Sequence, residues 1–119
     1  MEYQKIRELQ DWPRREAFDH FYHQVVTAVT LTADVDVAPL LRACRERGLR
    51  FFPSFLHLLC RVVNRYDAFK MGHNAEGEPV IWKQVSPSYT VFQEEDSSFY
   101  SLSTEYVPEF EAFYRQVVL

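Results

Sequence analysis

The chain has 119 residues, enough for one domain, and 47% of them are hydrophobic, which predicts a globular core rather than disorder. Its net charge is −4 and its 13 basic residues form no run along which a phosphate backbone could lie, so nucleic acid is not an expected partner. The start, Met1-Glu2-Tyr3-Gln4-Lys5, has no apolar leader core, and no stretch reaches the ~18 apolar residues of a membrane span, so a cytoplasmic protein is expected. Cys44 and Cys60 lie in apolar helical contexts and are read as free thiols.

Tyr3, Ile6, Leu9 and Trp12 suggest an arm or short strand over residues 1–12. Pro13 can open a helix over 13–23, because a first-turn N–H has no intrahelical partner to lose. Phe18, Phe21 and Tyr22 then share one face. From Val29 to Val35 the pattern is strict alternation, with Val29, Leu31, Ala33 and Val35 on one side, and this predicts a half-buried strand.

Asp36 can cap a helix whose apolar positions are Val37, Leu40, Leu41 and Cys44, and Gly48 is placed to end it. Its other face carries Arg42, Arg45, Arg47 and, just beyond, Arg50, read as a solvated basic face. A longer helix from about Pro53 is apolar except for a narrow stripe of Ser54, His57, Arg61, Asn64 and Arg65, so it should be covered on most sides. Segments 68–72 and 79–83 flank Asn74-Ala75-Glu76-Gly77 and read as a β-hairpin, with further strands at Tyr89–Gln93 and Ser98–Leu102. Pro108 starts a final helix carrying Phe110, Phe113, Tyr114 and Val117. This order of elements argues for an α+β fold with a mainly antiparallel or mixed sheet covered by helices. The end at Val118-Leu119, directly after an aromatic-rich helix, suggests a truncated domain.

Taken alone, the residues do not name a reaction. Glu16, His20 and His23 fall at i, i+4, i+7, a geometry that suits a metal but also an ordinary solvated face, and no metal is expected. His57 is read as a core-edge histidine bonded to backbone rather than as a catalytic base. His73 precedes a turn. No serine stands in a nucleophile context, and three glycines make no phosphate-binding loop.

Trp12-Pro13-Arg14-Arg15-Glu16-Ala17-Phe18, Phe51-Phe52-Pro53, and Val80-Ile81-Trp82 followed by Val85, Pro87, Tyr89-Thr90-Val91-Phe92, Phe99 and Ser101-Leu102 occur in an informative order. Together they resemble the N-terminal half of the chloramphenicol acetyltransferases, across about residues 3–115. The resemblance implies a CoA-dependent acyltransferase fold and acetyl transfer from acetyl-CoA to a hydroxyl of chloramphenicol, an antibiotic-resistance reaction. It also implies a trimer with active sites at subunit boundaries and no tightly bound cofactor. The family's general base stands in a C-terminal His-His-x-x-x-Asp-Gly motif that this sequence lacks, so the chain alone is expected to be inactive.

By position, the resemblance places Phe21, Thr27, Val29 and Phe99 along the acceptor pocket. It makes Arg14 the partner of the missing motif's aspartate, and sets Arg50 and Phe52 near the CoA entrance. Ala17 stands where the family has histidine, and Pro79 enters the second strand of the hairpin. The alternative reading is a non-catalytic binding or oligomerising module derived from the same fold.

Overall fold

The computed structural model describes residues 2–6 and 12–117. Leu9 and the final Val118-Leu119 lie outside the described residues. Strand β1 (Tyr3–Lys5) is followed by helix α1 (Arg15–Asp19), which runs into a π-helical turn at His20–Gln24. Helices α2 (Ala38–Arg47) and α3 (Phe51–Val63) come next, then a 3₁₀ turn (Asp67–Phe69) and strands β2 (Met71–His73), β3 (Pro79–Trp82), β4 (Ser88–Gln93) and β5 (Ser98–Ser103). Helix α4 (Phe110–Val117) is the last element. The strands make two sheets, β1-β3-β2 and β4-β5, antiparallel throughout. The fold is α+β, as the order of elements predicts.

Local chemistry accounts for most boundaries. Asp36, one residue before the N-cap Val37, accepts through Oδ1 from the Ala38 N–H at 3.0 Å and so satisfies the first free donor of α2. Gly48 ends that helix in the left-handed region at φ 66°, where a Cβ would crowd the backbone, and the Leu49 N–H returns to the Cys44 carbonyl. α3 begins at Phe51, two residues before Pro53, whose missing N–H falls among the unpaired donors of the first turn. In the β2–β3 hairpin, Asn74 is buried and holds the turn from inside: its Oδ1 accepts from the N–H groups of Glu76 (3.1 Å) and Glu78 (2.9 Å). Pro79 is tolerated because it opens β3, at the end of the ladder opposite His73.

The core lies between α3 and α4. Cys60, Tyr106 and Phe113 are buried together, and Leu56, Val107 and Val117 pack around them. Three hydrogen-bonded bridges hold the segments on either side of the β4–β5 hairpin to this core. Asn64 donates to the Val85 carbonyl (3.0 Å) and accepts from the Val85 N–H (2.9 Å). Gln84 donates to the Tyr106 carbonyl at 2.7 Å, and Ser86 Oγ accepts from the Tyr106 N–H at 3.0 Å.

Two expectations fail, and for one reason. Residues 29–35 form no strand: every residue from Val26 to Asp36 is exposed and, among the described residues, none makes a backbone–backbone hydrogen bond. Val26, Val29 and Leu31 are 92%, 90% and 91% exposed. Nor is α3 covered on most sides. Its buried residues are Pro53, Ser54, His57 and Cys60, while Phe52, Leu58, Leu59 and Val62 face outward. Much of the expected polar stripe therefore points into the core and an apolar face points to water. An alternating strand needs a neighbour for its ladder and an apolar helix needs a second layer; the described residues supply neither.

The same deficit shows in the dimensions. The radius of gyration is 18.0 Å, where a compact domain of this length has about 13.5 Å. The accessible surface is 9824 Å², where a folded monomer of this mass exposes about 6,800 Å².

Candidate functional site

α1 and its π-helical extension carry Arg14 and Phe21. Arg14 is exposed at the helix start; its carbonyl accepts from the Phe18 N–H at 2.9 Å, and its guanidinium has no carboxylate partner among the described residues. Phe21 is half-exposed and meets the His20 ring edge-on at 4.8 Å. The π turn breaks the i, i+4, i+7 alignment of Glu16, His20 and His23. His23 sits edge-on against Tyr22 and Phe18, and among the described residues no three His, Cys, Asp or Glu side chains gather around a metal-sized space.

Thr27 and Val29 stand in the uncovered segment. Thr27 Oγ1 donates to the Val25 carbonyl at 3.2 Å, a local bond that fixes no other element. Phe99 lies on β5 directly opposite Phe92 of β4, and it is 69% exposed. These acceptor-pocket candidates, apolar apart from Thr27, are all exposed, and the described residues do not close them into a pocket.

Arg50 and Phe52 are brought together with other groups. They border an open groove of about 340 Å³ whose wall includes Tyr89, Phe92 and Leu102. Phe52 meets the Tyr89 ring edge-on at 5.6 Å, and Tyr89 in turn shares a 2.6 Å hydrogen bond with the Thr104 hydroxyl. The Arg50 N–H donates to the Tyr114 hydroxyl at 2.9 Å, and its carbonyl accepts from Ser54 Oγ at 2.8 Å. The Arg50 backbone is therefore fixed from two sides while the residue stays exposed at the groove edge. The groove offers one cation and several aromatic faces, but no base.

The histidines lie away from this groove. His57 is 3% exposed, and its Nε2 lies 3.3 Å from the Val107 carbonyl and 3.2 Å from the Pro108 carbonyl. Carbonyls only accept, so Nε2 carries the hydrogen and is occupied as a donor. Tyr106, Phe110 and Phe113 surround the ring, which makes His57 a core fastener between α3 and the entry to α4. His73 is exposed at the end of β2 beside Tyr22. Both thiols are free and buried, and burial pushes the Cys60 thiol up, away from the thiolate a nucleophile needs. Sequence reasoning missed the anchoring roles of Asn64 and Asn74. Their only sequence signal is an asparagine after an apolar run and another opening a turn.

Among the described residues no helix is long and apolar enough to cross a membrane. The profile of the family described as "Chloramphenicol acetyltransferase" matches residues 1–118. A chloramphenicol acetyltransferase of Staphylococcus aureus is 34% identical over 114 residues, 96% of this chain and 52% of that protein. One of Streptomyces acrimycini is 36% identical over 107 residues, 90% of this chain and 49% of that protein. A solved structure of a chloramphenicol acetyltransferase superposes with a TM-score of 0.87 at 21% identity, over 98% of this chain and 54% of that one, which shows the shared fold. The chain spans about half the length of the curated relatives it matches. With a matched profile that runs almost end to end, this chain belongs to the chloramphenicol acetyltransferase family.

Proposed function

We propose that residues 1–119 are the N-terminal part of a chloramphenicol acetyltransferase-like domain, contributing acceptor-pocket and scaffold residues but no catalytic base. The observation that carries this is a family match over residues 1–118, covering about half of the relatives' length, in a sequence that lacks the His-His-x-x-x-Asp-Gly motif. In this reading Phe21, Thr27, Val29 and Phe99 form one wall of the acceptor site, and Arg14 awaits the aspartate of the missing motif. Arg50 and Phe52 border the approach of acetyl-CoA, the co-substrate. The site is completed within a homo-oligomer, a trimer as the resemblance implies. Two free, buried cysteines agree with a reducing, cytoplasmic compartment.

The reaction needs an imidazole to take the acceptor's proton as its oxygen attacks the thioester, and losing such a base removes a factor of about 10²–10⁴ in rate. None of the four histidines has the family base's motif, and His57 is committed to backbone carbonyls. A thiol-release assay with acetyl-CoA and chloramphenicol should give the no-enzyme blank for this chain alone, and turnover above blank when a polypeptide supplying the second half is added. Turnover by the chain alone would refute the assignment. The exposed apolar faces favour a second reading, a non-catalytic module that associates through those faces. Tight self-association, with no thiol release in any combination, would select it.

A further inference from the structure

We propose that the cleft between α2, α3 and α4 is a binding site for a small aromatic carboxylate, its ring seated between the helices and its carboxylate on Arg47. The cleft shares no residue with the acceptor-pocket and CoA-entrance positions above, so the inference stands apart from the functional reading. Three observations carry it: the size of the cleft, the chemistry of its wall and the charge at its mouth.

The size follows from short side chains where α2 meets α3. Ala43, Cys44 and Arg47 share one face of α2 at i, i+1, i+4, and Ser54 and Leu58 stand one turn apart on α3. Between them an open space of about 140 Å³ remains, with Phe110 of α4 on its wall. An apolar cavity of about 150 Å³ is the size that takes up benzene.

The wall behaves as apolar even where it carries polar atoms. Ser54 is buried, and its hydroxyl donates to the Arg50 carbonyl at 2.8 Å. The buried Cys44 thiol is directed to the same carbonyl at 4.0 Å. With both groups turned to the backbone, little on the wall can hold a water in place, which favours an apolar occupant. The Phe110 ring offers an aromatic guest an edge or a face.

The mouth supplies the charge. A wider groove of about 430 Å³ adjoins the cleft, and Arg47, Leu49 and Phe110 border both. The other charged groups of that groove, Arg115 and Glu111, pair with each other at 3.6 Å. Arg47 has no carboxylate within ion-pair distance among the described residues. A ring-sized apolar space thus opens beside one uncompensated guanidinium, and its complement is an aromatic ring with a carboxylate on a short arm.

The test titrates the full 119-residue chain with phenylacetate and follows amide and methyl shifts by NMR. The shifts should concentrate at Ala43, Cys44, Ser54 and Leu58 and saturate in about the millimolar range or tighter, as suits so small a ligand. Arg47→Gln should weaken phenylacetate about fivefold and change benzyl alcohol, a neutral compound with the same ring, by less than about twofold. Added salt should likewise weaken phenylacetate alone. Ala43→Leu, which fills the cleft, should remove binding of both. Arg47 is exposed, so unchanged circular dichroism of Arg47→Gln separates lost binding from lost folding.

Shifts confined to residues elsewhere, Phe52 or Phe99 among them, would overturn the site. Equal affinity for phenylacetate and acetate would show that no ring is seated and would overturn it too. So would an affinity for phenylacetate untouched by Arg47→Gln, or no saturable shift at any soluble concentration.

Discussion

The α3–α4 core and the segment from Val26 to Asp36 both carry large apolar residues, yet one is closed and the other open. In the core, Phe113 and Cys60 find partners within the chain, and even the polar groups are paired: Ser54 with the Arg50 carbonyl, His57 with Val107 and Pro108, Asn64 with Val85. Across the described residues no buried side-chain nitrogen or oxygen is left without a hydrogen bond. In the open segment, among the described residues, no backbone group pairs with another backbone group, and the only side-chain bonds are the local ones of Thr27 to the Val25 carbonyl and of Asp36 to the Ala38 N–H. Hydrophobicity alone therefore does not decide burial; a residue is buried only if the chain brings a second surface to it.

That contrast breaks most severely at Phe113. Phe113→Ala should cost about 3–5 kcal/mol, since the fully buried ring would leave a cavity among Tyr106, Cys60 and His57. Chemical denaturation would measure it, and a loss under about 1 kcal/mol would mean that the core is not closed. Asn64→Ala should cost about 1–3 kcal/mol by the same measurement, because the Val85 N–H and C=O both lose their partner.

A smaller effect is expected at the edge of the three-stranded sheet. Hydrogen bonds from Asn74 and then from Lys5, with the Lys5 charge, hold the Glu78 carboxyl below its usual range, and Lys83 does the same for Glu2. A depressed carboxylate contributes stability that is present above its ordinary pKa and lost as pH falls through the depressed value. β1 should therefore loosen from β3 in acid, below the ordinary carboxylate range. The cross-strand contact between Tyr3 and Trp82, followed by NMR, would report it. A contact unchanged through that range would show that the ladder, not the ion pairs, holds β1. Smallest of all is Leu31→Ala, expected to change stability by less than about 0.5 kcal/mol despite removing a large apolar side chain. A loss comparable to that at Phe113 would erase the distinction between the two regions.

Much of the fold was legible because its determinants are local. Asp36 and Gly48 bound α2, Asn74 to Gly77 set the hairpin, and the pattern of Phe110, Phe113 and Val117 gave α4. The inward turn of Ser54 and His57 was not legible, since the carbonyls that satisfy His57 come from residues about fifty positions away. The π turn at His20–Gln24 left no signal in residue type. Residues 29–35 alternate in sequence yet are exposed rather than half-buried, because a pattern specifies a face and not the presence of a neighbour. For the site, the resemblance located Arg14, Phe21, Thr27, Val29, Arg50, Phe52 and Phe99 in the sequence. The structure joins only Arg50 and Phe52 in one groove.

Small-angle X-ray scattering tests most directly whether the chain by itself is an open half of a domain. At a dilution where sedimentation gives one chain per particle, the radius of gyration should be close to 18.0 Å. A value near 13.5 Å, that of a closed domain of this length, would contradict the account.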